Sequence, residues 1–389
     1  MTSTAQQYLD QLQLLASSIA LLAMVSGLIL YILWRRTGIP RQLLGKEHAT
    51  RVPWDWLEVF LSFLLLIVVY EGVVGTVPWA RQKLKPEAYA SQTISLWVSS
   101  ATVAFDMGLG GGLTTGLVSV SLWPAEQERM LRESRVLMIN KILFLPLALL
   151  LFFNIIPKLC GARVYQFGLH LNRWKENFTL GTLVWVVLTP FCKVIFLIVL
   201  MQFWETLWGR PAEHPLTSLL LQDPRWTTWL LVGLVACVVA PLKEELLMRG
   251  VIQPYLVRNP VVSDVLVIIS LVYAFTILLT PGTGPDRGMG LGPLFFVSTI
   301  APGYYLFEKW LEPWIKEPGA ARGIYATSIF FAALHGPAWP QPIPLFLFSL
   351  GVGLLAYRTR SLIGPITVHV LFNLTTMVSA ILEFYPKWK

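Results

Sequence analysis

The sequence predicts an all-α protein, a polytopic transmembrane helix bundle with about 10 spans. Hydrophobic residues make up 55% of the 389-residue chain, and mean hydropathy is +0.62. Charged residues make up only 13%, about half of the share that is usual in soluble domains. Apolar runs of about 20 residues recur, and a helix of that length crosses the hydrocarbon core of a bilayer. This composition favours a membrane protein over a soluble enzyme.

The predicted spans follow the apolar runs in order. Trp54, Trp56, Trp226 and Trp310 stand near span ends, which is typical of the aromatic belts at membrane interfaces. Pro146 is expected to interrupt the third span. The spans are expected at about residues 14–34, 56–77, 136–156, 178–201, 226 into the Glu244–Glu245 stretch, 262–279, 290–307, 322–335, 343–357 and 365–384. The sequence does not decide whether residues 92–122 also cross the membrane.

Basic residues set the expected orientation. Arg35 and Arg36 follow the first apolar run, and no basic residue precedes it, so we expect a retained span with the N-terminus outside. Lys and Arg also concentrate in four later loops that are expected to be cytoplasmic, 158–177, 249–261, 308–322 and 358–360. This pattern is typical of a multi-pass protein of a bacterial-type cytoplasmic (inner) membrane.

The formal net charge of +8 does not indicate nucleic-acid binding, because the basic residues are scattered over loops and form no patch. The three cysteines, Cys160, Cys192 and Cys237, share no short spacing and indicate neither a zinc site nor a disulfide framework. We therefore expect no cofactor, no bound metal and no nucleic-acid partner. Lys193, inside the fourth span, is expected to pair with Glu71 or Glu205.

Two adjacent carboxylates, Glu244 and Glu245, lie at the end of an apolar run. A charge in such a place costs about 2.5–3.5 kcal/mol on insertion scales, so we expect the pair to have a structural or functional role. Glu245 and Arg249 are i,i+4 neighbours on a helix and are expected to pair, which leaves Glu244 available as a general base. Pro241 removes one helical hydrogen bond and loosens the helix one turn before the glutamates. A structural ion-pair network at a helix end is the alternative interpretation.

Two further motifs place histidines in apolar helices. Phe331 and His335 share a helix face at i,i+4, and His369 and Asn373 do the same in the last span. Each histidine alone is compatible with a core residue or with a polar contact between helices. Together, a glutamate and a histidine can activate water, while a histidine and an asparagine can donate hydrogen bonds to an oxyanion. The set therefore indicates peptide-bond hydrolysis inside a membrane.

The order Glu-Glu-x-x-x-Arg, Phe-x-x-x-His, His-x-x-x-Asn resembles the CAAX prenyl protease and bacteriocin-processing (CPBP, or Abi) family over about residues 165–385. The resemblance implies an all-helical membrane bundle that acts as a glutamic-type intramembrane endopeptidase. It also implies that Glu244 activates water with His335, that His369 and Asn373 stabilise the oxyanion, and that Glu245, Arg249 and Phe331 support them. A metallopeptidase is a lesser possibility for this family.

The same resemblance divides the chain. Residues 1–136 are expected to form an N-terminal membrane extension with two spans and a long loop. Residues 137–389 are expected to form the catalytic helix bundle, with a pair of spans inserted at about 261–321. The expected partners are the lipid bilayer and a substrate that is a membrane protein or a lipidated peptide. Two alternatives stay open: a non-catalytic scaffold or bacteriocin-immunity-type protein, and an ion-coupled transporter that uses Glu244, Glu245 and Lys193.

Overall fold

A computed structural model describes most of the chain between residues 52 and 384. The described residues are 52–76, 124–194, 219, 220, 222, 223, 225–279, 292–311, 315, 317, 319–335 and 341–384. Predicted features outside these residues include the first span, the segment 92–122 and Glu205.

The described part of the chain is helical and contains no strand, which confirms the predicted all-α class. Several helices change between α and π geometry without a break, and we number each continuous helix once. Helices α1 to α3 are Trp56–Phe63 continued by Leu64–Val69 and Tyr70–Thr76 (α1), Pro124–Cys160 (α2) and Trp174–Val194 (α3). Helices α4 to α6 are Trp226–Leu234 continued to Arg258 (α4), Pro260–Leu279 (α5) and Gly292–Leu311 (α6). Helices α7 to α9 are Ala320–Leu334 (α7), Pro342–Thr359 (α8) and Ile363–Phe384 (α9).

Three helices of the described region are long and apolar enough to cross a membrane, and they are Leu131–Cys160, Pro342–Thr359 and Ile363–Ile381. Shorter apolar helices cover Pro260–Tyr273 and Ala320–Leu334. The total of about 10 spans stays a prediction.

Helix α2 differs from the expected third span. The charged run 126–135, expected as a loop, belongs to the same helix as the apolar residues that follow it, and Pro146 lies inside that helix. The expected interruption at Pro146 is therefore wrong, because neighbouring helices can satisfy the carbonyl that a proline leaves unpaired.

Helix α4 is the element around which the others pack, and it alternates between two geometries. A π segment, Val235–Val239, precedes the α segment Ala240–Glu245, and a second π segment, Leu246–Ile252, follows it. Pro241 stands at the start of the central segment, so the loosening predicted one turn before the glutamates is present. The helix then continues as Gln253–Arg258. A loop was expected from residue 249, and this expectation is wrong because the helix extends to Arg258.

The residues before α1 pack onto α4. Trp54 is completely buried, stacks on Phe167 with ring centroids 4.7 Å apart, and donates from Nε1 to the Val251 carbonyl at 3.1 Å. Trp54 is therefore a core residue, and its assignment to an interfacial belt is wrong. Trp56 and Trp226, in contrast, are largely exposed, as interfacial residues are.

Helices α5 and α6, where an inserted pair of spans was predicted, contact α7 through a polar network. Arg322 on α7 donates to Asp264 Oδ2 at 3.2 Å and to Glu308 Oε1 at 2.8 Å, and Tyr304 donates to Asp264 Oδ1 at 2.5 Å. Gly323 allows α7 to approach α4 closely, since a Cβ there would lie 2.5 Å from the Val257 amide nitrogen. Helices α5 and α6 thus help to position α7 beside α4.

Candidate active site

Helix α4 carries a fully buried ion pair. Arg249 donates from one terminal nitrogen to Glu245 Oε1 at 3.2 Å, and neither side chain has any exposed surface. This is the pair predicted from the i,i+4 spacing. The other terminal nitrogen of Arg249 donates to Ser349 Oγ on α8 at 2.7 Å. Both ends of the guanidinium are therefore held, and the orientation of Glu245 is held with them.

His369 on α9 connects the two glutamates. Its Nδ1 donates to Glu245 Oε1 at 2.7 Å, and its Nε2 lies 3.9 Å from Glu244 Oε2. The second distance is too long for a direct hydrogen bond, yet one water can contact both atoms. The Glu244 side chain keeps 13% of its surface exposed, whereas Glu245 keeps none. Glu244 is thus the carboxylate that solvent can reach.

The ring of Phe331 on α7 contacts three of the predicted residues. The Arg249 guanidinium carbon lies 4.9 Å from the ring centroid, close enough for a cation–π contact. The ring of His335 lies 4.8 Å from that of Phe331, and the ring of His369 lies edge-on at 6.1 Å. Phe331 therefore joins α4, α7 and α9 at the level of the site.

His335 is the residue that follows α7, and its ring is held by the helix end. Its Nδ1 lies 2.8 Å from the Phe331 carbonyl oxygen. A carbonyl can only accept, so Nδ1 carries the proton and Nε2 of the neutral ring keeps a lone pair. His335 reaches the other site residues through the Phe331 ring. Gly336 and Pro337, which follow directly in the sequence, lie outside the described residues.

Asn373 lies one turn after His369 on α9. Its Nδ2 donates to the Ala236 carbonyl at 2.6 Å, and Ala236 belongs to the first π segment of α4. A π segment leaves carbonyl groups with spare capacity to accept hydrogen bonds, which gives this contact a physical reason. The amide has two hydrogens, so the second stays available.

A second buried cluster, next to the first, was not predicted from the sequence. Glu71 on α1 accepts from Lys243 at 2.7 Å and lies 3.2 Å from Lys141 on α2. Lys243 directly precedes Glu244, and its ammonium also lies 4.9 Å from the centroid of the Tyr70 ring. Tyr70 in turn donates from its hydroxyl to the Lys141 carbonyl. We call Glu71, Lys141 and Lys243 the lysine cluster.

The lysine cluster corrects one expectation. Glu71 is paired with Lys141 and Lys243 and not with Lys193. Lys193 instead donates to Thr376 Oγ1 on α9 at 2.9 Å and lies 5.6 Å from the centroid of the Phe372 ring. Glu71 and Lys243 are 172 residues apart, so no local sequence pattern predicts their contact. The only signal in the sequence is that both charges lie in apolar segments.

Among the described residues, no group of three or more His, Cys, Asp and Glu side chains is arranged to hold a metal ion. A partly exposed carboxylate, two imidazoles and an amide can move a proton and donate hydrogen bonds.

Comparison with known proteins bears on the same segment. The family model described as type II CAAX prenyl endopeptidase Rce1-like matches residues 226–310 and 304–375. No curated protein and no solved structure matches the chain significantly. The matched residues run from the start of α4 into α9 and include Glu244, His335, His369 and Asn373. Together with the apolar helices, the match points to an integral membrane protein. Residues 226–375 are therefore similar to the Rce1-like type II CAAX prenyl endopeptidase family, which agrees with the family resemblance predicted from the three sequence motifs.

Proposed function

We propose that the protein is an intramembrane endopeptidase that hydrolyses a peptide bond in a membrane protein or a lipidated peptide. The observation that carries the proposal is the approach of His369 Nε2 to within 3.9 Å of Glu244 Oε2, inside the segment that matches the family. A carboxylate and an imidazole at this distance can act on one peptide bond together, the carboxylate on the attacking water and the imidazole on the carbonyl oxygen.

Glu244 acts as the general base in this proposal. Its Oε2 takes one proton from the water while the water oxygen bonds to the carbonyl carbon of the substrate. The lone pair on His335 Nε2 accepts a hydrogen bond from the same water and orients it. When the carbon–nitrogen bond breaks, Glu244 returns the proton to the leaving nitrogen, which departs as an amine.

His369 and Asn373 stabilise the negative oxygen of the tetrahedral intermediate. His369 already donates from Nδ1 to Glu245, so it must be doubly protonated to donate from Nε2 as well. The buried Glu245 carboxylate stabilises that imidazolium. Asn373 contributes the amide hydrogen that the Ala236 carbonyl leaves free. Glu245, Arg249 and Phe331 are positioning residues in this scheme.

The membrane arrangement remains part of the proposal. We place the N-terminus outside a bacterial-type cytoplasmic membrane, with residues 1–136 as an extension of the catalytic bundle and 261–321 as an insertion in it. The boundary at residue 136 falls within the continuous helix α2.

The test compares wild type with Glu244→Gln on a quenched fluorescent peptide that ends in a prenylated CAAX sequence. Loss of a general base lowers a rate by about 10²–10⁴-fold, so kcat for Glu244→Gln is expected to fall by this factor. Glu176→Gln is the matched control, since Glu176 is exposed on α3 and its substitution is expected to leave kcat unchanged. Glu244→Gln with wild-type kcat would exclude this mechanism.

Two further measurements distinguish between the alternative mechanisms and functions. Wild-type enzyme that keeps full activity in a strong chelator is a glutamic-type peptidase, whereas activity that is lost and restored by added zinc indicates a metallopeptidase. The same peptide without its prenyl group tests whether the lipid is needed for recognition. No cleavage of either peptide or of any cellular membrane protein by wild type would favour a scaffold or a transporter.

A further inference from the structure

The ammonium group of Lys193 on α3 has no carboxylate partner among the described residues. It donates to Thr376 Oγ1 on α9 at 2.9 Å and lies 5.6 Å from the centroid of the Phe372 ring. Glu71 is held by the lysine cluster, and Glu205, the other partner expected from the sequence, lies outside the described residues. A charged side chain in an apolar helix is costly and often marks a site for a charged ligand.

A ligand can reach Lys193 from outside the helix bundle. Lys193 is half-buried, and Thr376, its hydrogen-bond partner, is exposed. The Thr376 hydroxyl donates to the Phe372 carbonyl at 3.1 Å, so its oxygen accepts from Lys193 and fixes the position of the ammonium group. An ammonium group has three hydrogens, and Thr376 takes one of them. The other two have no partner among the described residues and can donate to an anion.

Thr376 lies on the face of α9 that carries the two proposed oxyanion groups. It follows Asn373 by three residues and His369 by seven, and residues at these intervals share a helix face. With a rise of about 1.5 Å per residue, Thr376 lies about 4.5 Å beyond Asn373 and about 10.5 Å beyond His369 along the helix axis. Lys193 therefore holds a positive charge one to two turns from the place that the proposed mechanism gives to the substrate carbonyl.

An extended peptide covers this distance with two or three residues. Each extended residue spans about 3.3–3.6 Å, so two or three residues span about 7–11 Å. A peptide that ends there presents its C-terminal carboxylate to the ammonium group, and charge-assisted hydrogen bonds are about twice as strong as neutral ones. A chain that continues past this point presents only a neutral amide. The ammonium group of Lys193 therefore favours a peptide whose C-terminus lies at this distance.

We propose that Lys193 binds the C-terminal carboxylate of the substrate, two or three residues beyond the bond that is cleaved. Lys193 is then a specificity-determining residue, which selects peptides by the distance between the cleaved bond and the end of the chain. The inference rests on the proposed peptidase function, because the distance is counted from the oxyanion groups of that mechanism. Lys193 takes no part in the chemical step, so its contribution is to substrate binding.

The test compares two fluorescent prenylated CAAX peptides that differ only at the C-terminus, one a free acid and the other an amide. Binding is measured by fluorescence polarisation with full-length protein in maltoside micelles. The protein carries Glu244→Gln, which is expected to leave both peptides intact. A hydrogen bond to a charged group changes affinity by about 10- to 100-fold, so the Kd of the acid is expected to be at least about 10-fold lower than that of the amide.

Lys193→Met and Lys175→Met form a matched pair of variants in the same background. Lys193→Met removes the charge and is expected to bring the ratio of the two Kd values close to one. Lys175→Met makes the same substitution at an exposed position near the start of α3 and is expected to keep the ratio. Lys193→Arg keeps a cation and is expected to retain most of the preference for the acid. If Lys193→Met does not fold, Lys193→Gln removes the charge and keeps a donor for Thr376.

Each ratio compares two peptides on one protein, so a variant that is less stable does not imitate a loss of carboxylate binding. The proposal is overturned if protein with Lys193 binds the acid and the amide equally or binds neither. It is also overturned if Lys193→Met keeps the preference. A preference that appears only after Glu205→Gln would make Lys193 the counter-ion of Glu205 and would overturn it too.

Cleavage of the same two peptides by protein that retains Glu244 separates this inference from the proposed function. Cleavage of both with equal kcat/KM would keep the peptidase function and overturn the role of Lys193. Binding of the acid that depends on Lys193, without cleavage of either peptide, would keep the carboxylate site and overturn the peptidase function.

Discussion

Two buried polar clusters adjoin each other on α4 and have opposite charge balances. The lysine cluster holds two ammonium groups and one carboxylate, since Glu71 is shared by Lys141 and Lys243. The candidate active site holds two carboxylates and one guanidinium, since Glu244 and Glu245 accompany Arg249. The excess cation of the first offsets the excess anion of the second, so together they are neutral while His369 is uncharged.

This difference shows that the family-matched segment does not contain its whole electrostatic environment. The match begins at residue 226, whereas Glu71 and Lys141 come from α1 and α2. Lys243 lies inside the matched segment but depends on Glu71 for its counter-ion. Helices α1 and α2 therefore complete the charge balance around Glu244.

The largest effect is expected from Glu71→Gln, which breaks the lysine cluster. It leaves two buried ammonium groups without a carboxylate, and loss of one partner of a buried pair costs about 3–5 kcal/mol. We expect a loss near the upper end of this range in the free energy of unfolding, measured by SDS titration of mixed micelles. The triple variant Glu71→Gln, Lys141→Met, Lys243→Met is the control, since it removes all three charges and should recover most of the loss. Equal stability of Glu71→Gln and wild type would contradict the buried pairing.

A smaller loss is expected from Arg249→Met, which breaks the ion pair of the candidate active site. The variant leaves Glu245 buried, but His369 still donates to Glu245, so we expect a loss near the lower end, about 3 kcal/mol. Arg249→Lys keeps the charge but cannot reach Glu245 and Ser349 at once, and an intermediate loss is expected. The same SDS titration checks both variants. A larger loss for Arg249→Met than for Glu71→Gln would reverse the comparison.

The smallest effect tests packing beside the two clusters without changing any charge. Gly323→Ala on α7 places a Cβ 2.5 Å from the backbone of Val257 on α4, and overpacking of this kind costs about 1–3 kcal/mol. Gly233→Ala is the matched control, because its Cβ would meet only the Met377 side chain at 3.7 Å. Gly233→Ala is expected to be neutral or slightly stabilising, since alanine favours helix by about 1 kcal/mol over glycine. Similar melting temperatures for the two variants would show that α7 can move away from α4.

Local patterns in the sequence predicted the parts of the fold that depend on local rules. The helical class follows from the composition and from apolar runs of about 20 residues. The Glu245–Arg249 pair and the loosened helix near Pro241 follow from spacings within two turns. The burial of Trp54 did not follow, because it depends on Phe167 and Val251, far along the chain.

The same limit applies to polar contacts between helices. The motifs brought His369 to the glutamates, but the i,i+4 rule could not tell that its Nδ1 binds Glu245 while its Nε2 approaches Glu244. Lys193 was expected to pair with Glu71 or with Glu205, which lies outside the described residues. The structure instead pairs Glu71 with Lys141 and Lys243. Which charged side chains meet depends on the rotation of each helix and on its depth in the membrane, and a local sequence pattern predicts neither.

The aromatic ring of Phe331 gives the protein a built-in reporter position. Because the ring touches the guanidinium of Arg249 and both imidazoles, a displacement of α7 changes three environments together. A fluorine atom on this ring would experience each of those changes as a shift in its magnetic resonance frequency. One spectroscopic signal could then follow the arrival of a peptide, the charging of a histidine and the release of product.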